Sequence, residues 1–144
     1  MDSFESDDGY VIVQLEPGDL VLESLREAID DHDIETGAVV SGIGTLSNFN
    51  FHYVHTTDIS DPDARNTQVE REGAWEVTNV EGVIADGEPH LHVSAYDGEE
   101  TVGGHLEEGN EINVLGEFTI RKIEGLDLTR EKTGELRISQ LTER

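Results

Sequence analysis

Short runs in which apolar and polar residues alternate recur along most of this chain, and they constrain its fold more than any other feature. Alternation with a period of two places one apolar face toward a core and one polar face outward, as in half-buried β-strands. The pattern is clear at Tyr10–Leu15, Asn48–His55 and His90–Tyr96. The chain is therefore expected to fold mainly as a sheet.

One segment departs from this pattern. Leu20–His32 carries its apolar residues at helical spacing, which predicts an amphipathic helix with Asp19 as its N-cap. Further strands are predicted at Thr36–Ile43, Thr101–Gly104, Asn113–Ile123, Leu126–Arg130 and Leu136–Leu141, and one or two strands within Val69–Ala85. These elements predict an α+β domain with one main helix and a mostly antiparallel sheet. Residues 1–9 are expected to form a loose acidic lead-in, and the domain to span residues 10–144.

The charge balance is strongly acidic. The 144 residues include 33 Asp or Glu and 9 Lys or Arg, so the formal net charge is −24. Only Lys122 and Lys132 are lysines, and this bias is typical of proteins from salt-loving organisms, where a Debye length of about 3 Å screens acidic repulsion. An acidic protein from an ordinary organism is the alternative. Either way, the charge disfavours direct contact with nucleic acid or anionic lipid.

Several classes of protein are excluded by composition. The chain has no cysteine, which removes disulfides, thiolate metal sites and cysteine nucleophiles. No apolar run approaches the roughly 18 residues that a membrane span needs. The first residues are acidic and unlike a signal peptide, so a cytoplasmic location is expected. Gly42-Ile43-Gly44 lacks the third glycine and following helix of a nucleotide-binding loop.

The strongest candidate for a functional site is a group of three histidines. His90 and His92 share one face of a predicted strand, and the next strand brings His105 back after Gly103-Gly104. Three neutral imidazoles with an open fourth position form a common catalytic metal site, suited to zinc, nickel or cobalt. Exposed strand histidines without a metal produce the same His-x-His pattern, but the return of His105 favours a metal site.

Other polar residues are weaker candidates. Glu117 and Arg121 share a strand face and could bind a small carboxylate and move a proton beside the metal, although a solvated surface pair is the favoured explanation. His52 and His55 are three residues apart, so a strand directs them to opposite faces. His52 is a candidate to line a pocket, and His55 is expected to pack against aromatic residues.

Four stretches of the chain resemble the plants-and-prokaryotes-conserved (PPC) domain. They are Gly37–Gly44, Glu72–Val77, Pro89–Ser94 followed by Gly103–Leu106, and Leu128–Arg130 followed by Thr133-Gly134. The third stretch is the most specific and resembles the archaeal and bacterial branch, whose three histidines bind zinc. The resemblance extends from about residue 10 to residue 141.

The resemblance implies a strongly coiled antiparallel sheet, a homotrimer, and one Zn²⁺ per chain held by His90, His92 and His105. It also implies the family's DNA-binding or regulatory label, and a more distant relation in fold to the metalloenzyme acetolactate decarboxylase. Three functions are therefore open: a regulatory protein that acts through DNA or protein partners, a small-molecule binder or lyase-like metalloenzyme, and a structural trimer that zinc stabilises.

Overall fold

The computed structural model describes residues 1–144, which form nine strands and one helix. Most residues lie in strands, so the fold is mostly β with a single short helix. The elements are β1 (Asp2–Glu5), β2 (Tyr10–Leu15), α1 (Val21–Asp31), β3 (Thr36–Val54), β4 (Asn66–Ala85), β5 (Glu88–Tyr96), β6 (Thr101–Leu106), β7 (Ile112–Lys122), β8 (Leu128–Thr133) and β9 (Ile138–Glu143).

Seven strands form one antiparallel sheet in the order β1-β2-β7-β3-β4-β5-β6. The end of β3 also pairs with β6, at Phe51 with Leu106 and at His52 with His105. This extra pairing makes strands β3 to β6 close on one another, so the sheet is coiled, as the family resemblance implies. β8 and β9 form a separate two-stranded hairpin, called the C-terminal hairpin below.

Strand β3 is longer than the sequence indicates. Two strands are predicted between Thr36 and His55, but the structure has one strand of 19 residues with register shifts between Val39 and Ser41, and again on either side of Leu46. Gly42 lies inside this strand, where an added Cβ would come within 2.6 Å of the Phe118 ring. The glycine therefore permits close packing in the core.

The core lies between the helix and the inner face of the sheet. Leu22, Leu25 and Ile29 of the helix are buried there, together with sheet residues such as Phe118. The helix begins differently from the prediction, because Leu20 is the N-cap and no side chain caps it. Asp19 instead accepts a hydrogen bond from the Glu16 amide and pairs with the N-terminal amine.

The first residues are ordered as part of the sheet. The prediction of a loose lead-in over residues 1–9 is wrong for Asp2–Glu5, because these residues pair with β2 along its edge. Pairing with β2 satisfies the backbone hydrogen-bonding groups of these residues. The sequence pattern alone does not reveal this pairing. No helix in the structure has both the length and the apolar character needed to cross a membrane.

Candidate metal centre

Histidines from three strands lie side by side because of the way their strands pair. His105 of β6 is opposite His92 of β5 on one side and opposite His52 of β3 on the other. Side chains at directly paired positions share a face and have Cβ atoms about 4.5–5.5 Å apart. His90 lies two residues before His92 and therefore shares this face. The pairing thus brings four imidazoles together.

The four rings lie close together, although the ligand atoms that all lie within 4.8 Å of one another are those of His52, His105 and Glu107. The His105 ring centroid lies 4.4 Å from that of His52, 4.8 Å from that of His90 and 5.9 Å from that of His92. The His90 and His92 rings are 5.6 Å apart and nearly parallel. The three histidines that the sequence groups together therefore do lie together, and His52 joins them.

Glu107 connects two of these imidazoles. Its Oε1 atom accepts a hydrogen bond from Nδ1 of His105 at 3.1 Å and a second from Nδ1 of His52. An ionised carboxylate only accepts hydrogen bonds, so this geometry fits a proton on Nδ1 of both rings. Carboxylates commonly orient metal-binding histidines in this way. His52, His105 and Glu107 also form a group that could itself hold a metal ion, since their ligand atoms lie within 4.8 Å of one another.

A buried asparagine holds Glu107 against β3. Asn110 is fully buried, and its side chain accepts from the Asn50 amide and donates to the carbonyls of Asn50 and Glu107. These three bonds satisfy most of the capacity of the amide group. The turn after β6 is therefore tied to the strand that carries His52.

Two glycines allow β6 to approach its neighbours. An added Cβ would lie 2.1 Å from the Val93 carbonyl oxygen at Gly103 and 2.2 Å from the His52 carbonyl oxygen at Gly104. Contacts this short would force the strands apart. Gly103 and Gly104 therefore permit the close approach of β6 to β5 and β3 that the sequence predicts before His105.

Two of the imidazoles, those of His90 and His105, are held in the neutral form. Loss of surrounding water, followed by the charges of His105 and Arg130, lowers the pKa of His90 to about 4. Burial, and then the nearby His52, also lower the pKa of His105. Both rings are therefore unprotonated at neutral pH, which is the form that binds metal.

Comparison with known proteins agrees with this fold. The family model described as the Plants and Prokaryotes Conserved (PCC) domain matches residues 2–124. The chain belongs to this family. The match confirms the resemblance drawn from the sequence, for which PPC is another name. A comparison with curated proteins finds no significant match.

Several solved structures are similar to this PCC chain. A PPC protein from Pyrococcus horikoshii is 25% identical with a TM-score of 0.74, over 90% of this chain and 89% of that one. A metal-containing protein from Archaeoglobus fulgidus is 20% identical with a TM-score of 0.79, over 99% of this chain and 100% of that one. A candidate DNA-binding protein from Bacteroides thetaiotaomicron is 16% identical with a TM-score of 0.83, over 98% and 96% of the two chains.

The structure does not bring the candidates Glu117 and Arg121 of this PCC domain to the histidines. Both lie on β7. Successive strand pairing across the sheet places Arg121 level with His90 but three strands away, so their Cα atoms are about 14 Å apart. The Arg121 guanidinium bonds to the Asp8 carbonyl and lies 4.8 Å from the Tyr10 ring. Glu117 and Arg121 do share one face of β7, but this face of the sheet extends well beyond the histidines.

The other histidines of this PCC domain lie outside the cluster. His55 follows the end of β3 and is exposed, with its ring bonded to Thr67, so the expectation that it packs among aromatic residues is wrong. His32 ends the helix and bonds to Ser3 and Glu5. Of His32, His52 and His55, only His52 joins the cluster, because its position on β3 pairs with His105.

Two cavities flank the histidines. The first, called the hairpin cavity, has a volume of about 860 Å³ and lies between the sheet and the C-terminal hairpin. Its lining includes Val39, Val40, Glu81, Val83, His90, His92, Arg130 and Leu141. The second has about 640 Å³ and is lined by all four histidines and Arg65. The cluster can therefore be reached by a small molecule from either side.

Proposed function

We propose that this protein binds one divalent transition-metal ion per chain, Zn²⁺ by preference, through His90, His92 and His105. The observation that carries this proposal is the close approach of the imidazoles of β5 and β6, with one of them oriented by Glu107. In a chain without cysteine, imidazole nitrogen is the donor best suited to zinc. The relative from Archaeoglobus fulgidus is described as metal-containing, which supports the same proposal.

Glu107 acts in this proposal as the carboxylate that orients the ligands. By accepting from Nδ1 of His105 and His52, it leaves Nε2 of each ring available. His52 then stands beside the ligand set as a fourth imidazole. The competing arrangement places the ion between His52, His105 and Glu107, whose ligand atoms lie within 4.8 Å of one another. The two arrangements differ in their dependence on His90 and His92.

Metal analysis of untagged protein tests the proposal. We expect close to one zinc per chain in the wild-type protein, and a loss of nearly all of it in His92→Ala. His55→Ala is the matched control, because it removes an exposed histidine outside the cluster. Wild-type protein without metal after purification and after dialysis against zinc would contradict the proposal.

We also propose that the chain assembles as a homotrimer through the outer face of its sheet. Phe4 and Ile12 are paired partners on this face and are 58% and 42% exposed, and Ile43 of β3 is 48% exposed. Apolar side chains exposed together are typical of protein interfaces. Light scattering should give three times the mass of one chain for the wild type and a smaller mass for Ile12→Asp. A monomeric wild-type protein would contradict this assembly.

The site supports a small-molecule role better than direct contact with DNA. A bound ion with an open position would polarise a carbonyl or activate water, and the two cavities give access to it. Two structural relatives are described as candidate DNA-binding proteins. In this chain, however, a net charge of −24 opposes the counterion release that drives binding to DNA. A gel shift with duplex DNA should show no complex, and a regulatory role would then act through protein partners.

A further inference from the structure

We infer that the hairpin cavity binds a small aliphatic carboxylate, whose charged end pairs with Arg130 and whose alkyl end packs on the valines and leucine that line the cavity. Arg130 lies on β8, beyond the residues 2–124 that the family model matches. The inference deepens the proposed function. It rests on that function only in placing the ligand and the metal ion in the same cavity.

The distribution of cations is the first argument. Most basic side chains are neutralised by carboxylates: ion pairs are formed by Arg26, Arg71, Lys122, Arg137 and Arg144. Three arginines, Arg65, Arg121 and Arg130, form no ion pair. Arg121 bonds to the Asp8 carbonyl, away from the histidines, whereas Arg65 and Arg130 line the two cavities beside them. A guanidinium that lines a cavity without an ion pair is suited to an anionic ligand.

The hydrogen bonds of Arg130 are the second argument. Its Nη2 donates to the Val83 carbonyl at 3.1 Å, and Val83 is the registered partner of His90. This bond anchors the guanidinium next to the histidine cluster. Its Nε is buried and has no partner among the groups of the protein. Because buried donors are nearly always satisfied, a ligand oxygen at this nitrogen would supply the partner that the protein does not.

The lining of the cavity indicates the rest of the ligand. Val40, Val83 and Leu141 present apolar side chains to the cavity, which a phosphate or sulfate ion would not use. One carboxylate, Glu81, also lines it, and Glu81 is the registered partner of His92. The negative end of a ligand therefore faces Arg130 and lies away from Glu81. A branched aliphatic acid matches this arrangement.

Titration followed by methyl NMR tests the inference, with isobutyrate as the probe. We expect isobutyrate to shift the methyl signals of Val40, Val83 and Leu141 in a saturable way. Isobutyramide has nearly the same shape without the charge, and it should bind at least ten times more weakly. Arg130→Gln should weaken isobutyrate binding by about 10- to 100-fold, the range expected for losing a charge-assisted hydrogen bond.

Three further variants and probes separate the explanations. Arg137→Gln is the matched control, since it removes an exposed arginine of the same hairpin that pairs with Asp63, and it should leave binding unchanged. Arg130→Lys keeps the charge without the planar fork and should recover part of the affinity. Thermal melts show whether Arg130→Gln stays folded. 2-Hydroxyisobutyrate should gain affinity over isobutyrate only in zinc-loaded protein, if the metal shares the cavity.

The outcomes distinguish this inference from the proposed metal site. Isobutyrate binding that is equal in wild type and folded Arg130→Gln, or matched by isobutyramide, would overturn the carboxylate site even if zinc is bound. Tighter binding of inorganic phosphate than of isobutyrate would overturn it as well. If the protein binds no zinc but still binds isobutyrate in a way that depends on Arg130, the carboxylate site is supported and only the proposed metal site is contradicted.

Discussion

Replacing Glu107 with glutamine should weaken zinc binding without unfolding the site. Glutamine has nearly the same volume and keeps a side-chain oxygen, but it lacks the negative charge that favours the Nδ1-protonated form of His52 and His105. The main chain at residue 107 stays in place, because the buried Asn110 holds its carbonyl. The change therefore removes an orienting charge and little else.

The size of the effect follows from the role of the carboxylate. Loss of a carboxylate that orients a metal ligand typically reduces metal affinity by about 10- to 100-fold, or about 1.4–2.7 kcal/mol. Glu107 orients one proposed ligand, His105, and one adjacent imidazole, His52, so we expect a value within this range. If Glu107 were itself a metal ligand, the reduction in zinc affinity in Glu107→Gln would exceed this range.

Competition with a fluorescent zinc chelator at neutral pH measures the affinity. Glu108→Gln is the matched control, because it makes the same substitution at the next residue, whose exposed carboxylate pairs with Arg26. That variant should bind zinc as the wild type does. NMR of the imidazole nitrogens should also show mixed tautomers at His105 in Glu107→Gln.

Two results would refute the reasoning. Equal zinc affinity in wild type and Glu107→Gln would show that the carboxylate does not orient the ligands. Loss of all binding in Glu107→Gln, together with retained binding in His92→Ala, would place the ion between His52, His105 and Glu107.

Three other predictions concern the strands, the protonation state and the charge. Gly104→Ala should destabilise the fold by about 1–3 kcal/mol in denaturant melts, because its Cβ would lie 2.2 Å from the His52 carbonyl oxygen; an unchanged midpoint would refute this close contact. In metal-free protein, NMR should show His90 titrating near pH 4, so that it is neutral above this value, and Arg130→Gln should raise this pKa because a nearby positive charge is lost. The melting temperature should rise between about 0.1 and 2 M KCl as the acidic repulsion is screened, and a constant value would reject adaptation to high salt.

The strands and three of the four clustered histidines can be predicted from local sequence patterns. Leu91 and Val93 are buried while His90 and His92 face outward, because a strand alternates its faces with a period of two. The helix is likewise evident from its single apolar stripe. Such features depend on residues a few positions apart, and hydrophobic burial enforces them wherever the segment finally packs.

His52 and Glu107 could not be found in this way. His52 lies 53 positions before His105, and it reaches His105 only because the coiled sheet pairs the end of β3 with β6. No local pattern encodes that register. Glu107 follows β6 in a turn, and its role depends on the Asn110 contacts that hold the turn against β3.

The amino-acid sequence by itself determined the strand pattern, the single helix, the acidic surface and the grouping of His90, His92 and His105, since each depends on composition or on short-range spacing. Only the tertiary structure decided that His52 and Glu107 join the cluster, that Glu117 and Arg121 stand apart from it, and that Arg130 reaches it from the C-terminal hairpin. The physical reason is that side chains distant in the sequence meet through the register and curvature of paired strands, which the packing of the whole sheet sets.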